Sequence, residues 1–256
     1  MINYLKKAQN IMKNDGLSVF FNRSLNYLIV RLKRLYRHRD LQNISKFNKL
    51  KNKYKGKRVF LLGNGPSLNQ TPLHLLENEY KMCCNRFNLF YDRINWKPDF
   101  YIATDDLLIQ DIYKEINQDI IPEAKAAFFP DIHPSNIEIK NNLIYPQDNI
   151  FWLNTDRPGF TLDLPYCGIN KTVINPSLQI LSYLGFSEIY LIGMDLTFSD
   201  QNVEKHSLTQ FVYSGHLTPG ACGREVQAAL ADTTSGASAA SAGDFQKPIS
   251  CCVLKW

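Results

Sequence analysis

Between Arg58 and Leu68 the chain reads R-V-F-L-L-G-N-G-P-S-L, an apolar run that breaks abruptly into Gly63-Asn64-Gly65-Pro66-Ser67. Bulky and β-branched residues in unbroken succession, flanked by Lys57 and Arg58, predict a parallel strand buried on both faces. The two glycines admit positive φ and let backbone N–H groups crowd toward a ligand. Pro66 and Ser67 suit the first turn of a helix, whose N-terminus attracts anions. Strand, glycine turn and helix start together predict a cradle for a phosphate or nucleotide. The same fragment also suits a tight βα turn that binds nothing.

The rest of the middle repeats this alternation. A helical stretch is expected from Thr71-Pro72, then strands at 81–87 and 99–104, with a helix around 107–116 between the second of these and short strands at 126–129 and 150–153. A helix over 172–184 carries Ile174, Leu178, Leu181 and Leu184 on one side and stops at Gly185. The last strand, 188–193, closes on Met194-Asp195. Strands alternating with helices predict an α/β fold, a Rossmann-like, mostly parallel sheet with helices on both faces. Ligands of such sheets gather beyond the C-terminal strand ends. Gly63-Asn64-Gly65, Asn85-Arg86, Asp105-Asp106 and Asp195 all fall at those ends.

The charge is unevenly placed. Residues 1–58 hold 16 Lys/Arg against 2 Asp/Glu, whereas the remainder is acidic. Within that segment Leu17, Phe20, Phe21, Leu25, Leu28, Leu32 and Leu35 recur at helical spacing, with Arg31, Lys33, Arg34, Arg37 and Arg39 clustered toward the end. A basic amphipathic helix of this kind suits peripheral contact with an anionic membrane, or packing on the domain with its charges solvated. No recognition motif accompanies the charge, so nucleic acid is not an expected partner. No run of roughly 18 apolar residues is present to cross a bilayer. The six cysteines form no Cys-x-x-Cys and no disulfide framework, which fits a reducing cytoplasm, with the inner membrane face as the peripheral variant.

Residues 1–216 contain five alanines, whereas 217–256 are alanine-rich and include T-T-S-G-A-S-A-A-S-A at 233–242. That switch reads as foreign or frame-shifted sequence. The expected organisation is therefore a basic helical segment over 1–54, a Rossmann-like transferase domain over 55–216, truncated near its end, and a low-complexity, non-native or disordered tail over 217–256.

Asn64 offers a donor and an acceptor to a ribose, base or phosphate edge. Arg86 suits bidentate pairing with a phosphate or carboxylate, and equally a surface ion pair. Asp105 and Asp106 suit Mg²⁺ bound together with substrate phosphates, although Asp106 equally suits capping the next helix. Asp195 suits metal, ribose hydroxyl or general-base duty. Thr172 suits a helix cap or, with Asn170 and Lys171, an anion contact. His206 and His216 are candidate acid–base groups.

In order, G-N-G-P-S-L, C-N-R-F, P-D-F-Y-I-A-T-D-D, the 172–186 helix and E-I-Y-L-I-G-M-D resemble the MptE-like 6-hydroxymethylpterin diphosphokinase domain family over roughly 55–200. More distantly they are similar to bacterial sialyltransferases that use a CMP-sugar donor. The resemblance implies a nucleotide-using transferase with nucleotide contacts at Gly63, Asn64, Gly65, Ser67 and Asn85, and with Asp105 and Asp195 as polar partners. Val173 and Ile174 stand where the sialyltransferases place small residues. Three functions are carried forward. The first is a glycosyltransferase-like enzyme of bacterial surface polysaccharide assembly, taking a nucleotide-sugar and a glycan or small-molecule acceptor. The second is a diphosphokinase using ATP and Mg²⁺, and the third a non-catalytic nucleotide- or glycan-binding module.

Overall fold

The computed structural model describes residues 17–36, 40–156, 159–169, 172–194 and 251–255. Its centre is a sheet in the order β5-β4-β3-β2-β1-β6-β7. The strands are β1 (Arg58–Leu62), β2 (Tyr80–Cys84), β3 (Phe100–Ile102), β4 (Ala126–Pro130), β5 (Ile150–Leu153), β6 (Glu188–Ile192) and β7 (Cys251–Lys255). The first six are parallel, and β7 runs antiparallel along β6, with Glu188 opposite Lys255. The helices are α1 (Leu17–Tyr36), α2 (Leu41–Leu50), α3 (Asp106–Glu115) and α4 (Ile174–Leu184).

The apolar run of β1 is explained by two buried faces. Val59 and Leu61 point into a core shared with Phe47 and Leu50 of α2 and with Ile180, Leu181 and Leu184 of α4. Phe60 and Leu62 point the other way, into a layer built from Leu68, Leu73, Leu76, Phe87 and Trp96. Further along that second face, Tyr101, Ala127 and Phe129 pack on Ile109 and Ile112 of α3. Alternate side chains of one strand thus serve two cores.

The expected helix after the glycine turn is instead a pair of 3₁₀ turns, Pro66–Gln70 and Leu73–Leu76. Pro72 cannot continue a helix and pushes Thr71 to extended backbone, where its ψ is 130°. The expected strand over 81–87 ends at Cys84, because Asn85 adopts left-handed backbone at φ +54° and Phe87–Arg93 turn into a further 3₁₀ helix. Gly185, at φ +90°, ends α4 as its place in the sequence predicts.

The outer edge of β5 is closed by α2. Asn43 donates its amide Nδ2 to the Trp152 carbonyl at 2.9 Å and accepts the Trp152 N–H at 3.0 Å. Lys46 adds a hydrogen bond to the Ile150 carbonyl at 2.9 Å. One side chain therefore substitutes for a neighbouring strand and satisfies an otherwise open edge. Within residues 1–54, α2 packs on the domain, carrying Phe47 into ring contact with Phe128, Phe151 and Tyr183. Of the tail, 251–255 form β7, and 217–250 lie outside the described residues.

Asn43→Ala removes both bonds to Trp152 and leaves a buried N–H and C=O unsatisfied. The expected loss is about 2–4 kcal/mol, read as a lower urea midpoint with unchanged slope.

Candidate functional site

From β1 the chain steps outward through β2, β3, β4 and β5, then returns to place β6 on the other flank of β1. The strand order therefore reverses between β1 and β6, and the crevice at such a reversal is the standard ligand position of an open α/β sheet. The glycine turn occupies it. Gly63 N–H donates to the Ile192 carbonyl at 2.8 Å, and Gly65 N–H donates to the Gly193 carbonyl at 2.9 Å. A Cβ on Gly63 would stand 2.3 Å from the Gly193 oxygen, and one on Gly193, at φ +69°, would stand 2.5 Å from Leu68 Cγ. Glycine is obligatory at both positions for lack of space.

This contact changes the expected cradle. The amides of Gly63 and Gly65 bind the end of β6 rather than facing a ligand, and Pro66–Gln70 is too short to supply a helix dipole. Recognition at the turn falls to side chains. Asn64 is exposed, and its Nδ2 donates to the Cys84 carbonyl at 3.0 Å, tying the turn to the end of β2. Ser67 lies in the first residues of the 3₁₀ turn, half-buried.

The next residue after β2 is Asn85. Its N–H donates to the Ile102 carbonyl at 3.1 Å and its carbonyl accepts the Tyr101 hydroxyl at 2.7 Å. Its backbone is thereby held in place, while its Oδ1 is buried with no hydrogen-bond partner among the described residues. A buried amide oxygen left unpaired is costly unless something supplies a donor. Arg86 pairs with Asp111 of α3 on the surface.

The carboxylates after β3 have separate tasks. Asp105 caps α3, accepting the Leu108 N–H at 2.8 Å. That capping role was expected of Asp106. Asp106 instead accepts the Ser135 hydroxyl at 2.8 Å, and Ser135 Oγ lies 2.7 Å from His133 Nδ1. His133 Nδ1 is itself 3.5 Å from Asp106 Oδ1. The Ser135 backbone N–H also donates to Nδ1 at 3.2 Å, so Ser135 meets this ring nitrogen through both its N–H and its hydroxyl, and the donor and acceptor roles follow the tautomer. Among the described residues Nε2 has no partner. Arg34 of α1 fixes this loop, donating to the His133 carbonyl at 3.0 Å and to Asp156 at 2.7 Å. Burial holds the imidazole below the ordinary histidine value; Asp106 and Asp105 pull it up less strongly, and Arg34 adds to the lowering.

His133 and Ser135 escaped the sequence reading because His-Pro-Ser matches no motif. The available signal was position: they follow β4 at the same carboxyl edge as the residues that were singled out.

Thr172 Oγ1 accepts the Ile174 N–H at 3.4 Å just before α4, whose N-cap position is Val173. Behind it Asn175 and Gln179 donate to the Gly168 carbonyl at 2.9 and 2.8 Å. Asp195, His206, His216, Asn170 and Lys171 lie outside the described residues. Among the described residues no group of three or more His, Cys, Asp or Glu is placed to hold a metal ion. Asp105 is tied into a cap and Asp106 to Ser135. Two cavities of about 300 and 240 Å³ open beneath α1, the larger lined by Asp131, Trp152 and Asn154 beside β4 and β5, the smaller by Val30, Gln110 and Leu143.

A parallel sheet whose strand order reverses at a glycine turn, with polar groups ranked along its carboxyl edge, defines a Rossmann-like α/β protein. Residues 34–201 match the family model described as 6-hydroxymethylpterin diphosphokinase MptE-like, and the chain belongs to that family. Membership supports a transferase-type function. No curated protein matches the chain. Among solved structures it is similar to the MAf glycosyltransferase from Magnetospirillum magneticum AMB-1, at 18% identity and a TM-score of 0.38. That similarity covers 64% of this chain and 28% of the other, so the chain spans less than a third of that protein.

Because the folded His133 value is depressed, the unfolded chain binds the extra proton first. Stability is therefore complete above the unfolded value of about 6.5 and falls as pH drops through it toward the folded value. Denaturation midpoints between pH 7.5 and about 5 should show this fall in the parent protein and a shallower one in His133→Asn.

Proposed function

We propose that the protein is a nucleotide-dependent glycosyltransferase of the MptE-like type, acting in bacterial surface polysaccharide assembly. The observation that carries this reading is the Oδ1 of Asn85, buried and without a partner among the described residues, one residue after the Cys84 carbonyl that Asn64 holds. A ribose hydroxyl or an exocyclic amine of a base would supply the missing donor. Gly63, Gly65 and Ser67 shape the floor for the donor phosphate, and Thr172 stands at the start of α4.

His133 stands near the end of β4, two strands from Asn85 in the sheet order. Two strand spacings make about 10 Å, the scale of a nucleotide-sugar from base to anomeric carbon. In the proposed reaction the His133 tautomer with Nε2 unprotonated takes the acceptor hydroxyl proton at that nitrogen, and the acceptor oxygen forms a bond to the anomeric carbon. The bond from that carbon to the donor phosphate oxygen breaks, and its electron pair leaves with the nucleotide. The Ser135–Asp106 chain orients the ring and steadies the imidazolium that results. Asp195, His206 and His216, outside the described residues, are the further acid–base candidates. Positioning supplies much of the remaining rate.

The family description favours a second reading, diphosphoryl transfer from ATP to a pterin alcohol. It requires Mg²⁺, and Asp105 and Asp106, engaged as they are, support it less well. A third, non-catalytic binding module, is separated by assay.

Thermal-shift titrations distinguish these readings. Stabilisation by CMP or CDP without metal is expected; stabilisation only by ATP with Mg²⁺ supports the diphosphokinase, and a shift without any transfer supports the binding module. Asn85→Gly, which keeps the left-handed backbone accessible, should abolish the nucleotide shift while leaving the unliganded melting temperature within a few degrees. An unchanged shift in Asn85→Gly refutes the site.

A further inference from the structure

The twenty residues of α1 contain no Asp or Glu. The helix is attached to the domain by its polar side. Val30 is buried, Lys33 pairs with Glu138, and Arg34 pairs with Asp156 and the His133 carbonyl. At 100° per residue, Leu25, Leu28, Ile29, Leu32 and Leu35 fall in an arc of about 120° facing away from Val30. These five side chains are 41–59% exposed. An amphipathic helix ordinarily turns its apolar stripe to its own core. Here the stripe faces outward, and ion pairs keep it there.

We propose that this outward stripe is a docking surface for an anionic lipid bilayer, with α1 lying in the interfacial plane. Charge selects the occupant. Residues 1–58 carry 16 Lys/Arg against 2 Asp/Glu, so a second copy brought stripe to stripe would repel the first, whereas anionic headgroups complement it. No described helix is long and apolar enough to cross a membrane, so the attachment is to the surface. Glu138, Asp156 and His133 belong to loops that follow β4 and β5. Docking on α1 therefore sets the carboxyl edge of the sheet beside the bilayer. On the transferase reading above, and only on it, the acceptor hydroxyl would belong to a lipid-linked molecule presented from that surface.

The test is co-sedimentation of the full chain with phosphatidylcholine vesicles with and without phosphatidylglycerol, in the absence of nucleotide. Binding to the anionic vesicles is expected, weakening with salt, with at least about a tenfold loss in the Leu28→Glu, Leu32→Glu double variant. The variant should keep the parent melting temperature and any nucleotide shift, since neither side chain packs on the body. Absence of parent binding, equal binding to both vesicle types, or equal binding by the double variant overturns the proposal. So does a parent dimer, seen by light scattering, that the variant dissociates without any vesicle binding. So does a lowered melting temperature in the variant, which would mean that the chain itself covers the stripe. Vesicle binding without a nucleotide shift leaves docking standing and removes the transferase reading; the reverse removes docking alone.

Discussion

At the centre of the sheet two backbone turns touch where no side chain could fit between them. The carbonyl of Gly193 accepts from Gly65 and sits where a Cβ of Gly63 would be, and Gly193 in turn leaves room for Leu68. This interlock joins β1 to β6 across the point where strand order reverses. It fixes where the crevice opens, how Asn64 reaches Cys84, and how near α4 comes to the turn. An alanine at Gly63 would have to push the two strand ends apart, and the polar edge would lose its common geometry.

From that junction the functional groups are distributed by strand order rather than by sequence distance. Asn64 follows β1, Asn85 follows β2, Asp105 and Asp106 follow β3, and His133 and Ser135 follow β4. Each sits just past a buried strand, where the backbone turns outward and polar side chains can point to solvent without leaving the core unsatisfied. The amino edge carries a different kind of chemistry. Lys81 is buried there, donating to the carbonyls of Leu76 and Glu77 at 3.1 and 3.0 Å and lying 3.6 Å from Asp99. Burial depresses its ammonium and Asp99 opposes that shift. It closes a structural corner, and the candidate site lies at the opposite edge.

The N-terminal helices divide into two roles although both are basic. α2 inserts Phe47 and Asn43 into the domain and completes the edge of β5. Among its described side chains α1 meets the domain through Lys33, Arg34 and the buried Val30, with Leu25, Leu28, Leu32 and Leu35 outward. Positive charge in residues 1–58 is thus a property of sequence that the fold uses in two ways: as ion pairs that orient α1, and as a field around its exposed apolar stripe.

Local pattern determined much of this protein. The unbroken apolar runs fixed β1, β4, β5 and β6, the Gly185 stop fixed the end of α4, and the alternation of strand and helix fixed a mostly parallel sheet, because burial on both faces demands those runs. The position of the glycine turn and the nomination of Asn64 and Asn85 follow from the same rule about strand ends. Tertiary structure alone decided which amides of the turn remained available, since Gly63 and Gly65 bond to a strand some 130 residues later. It also decided that Asp106 meets Ser135 and His133, that Asn43 serves as a strand edge, and that α1 turns its leucines outward. Those outcomes depend on partners distant in sequence, and pairwise contact between distant residues leaves no periodicity in a single chain.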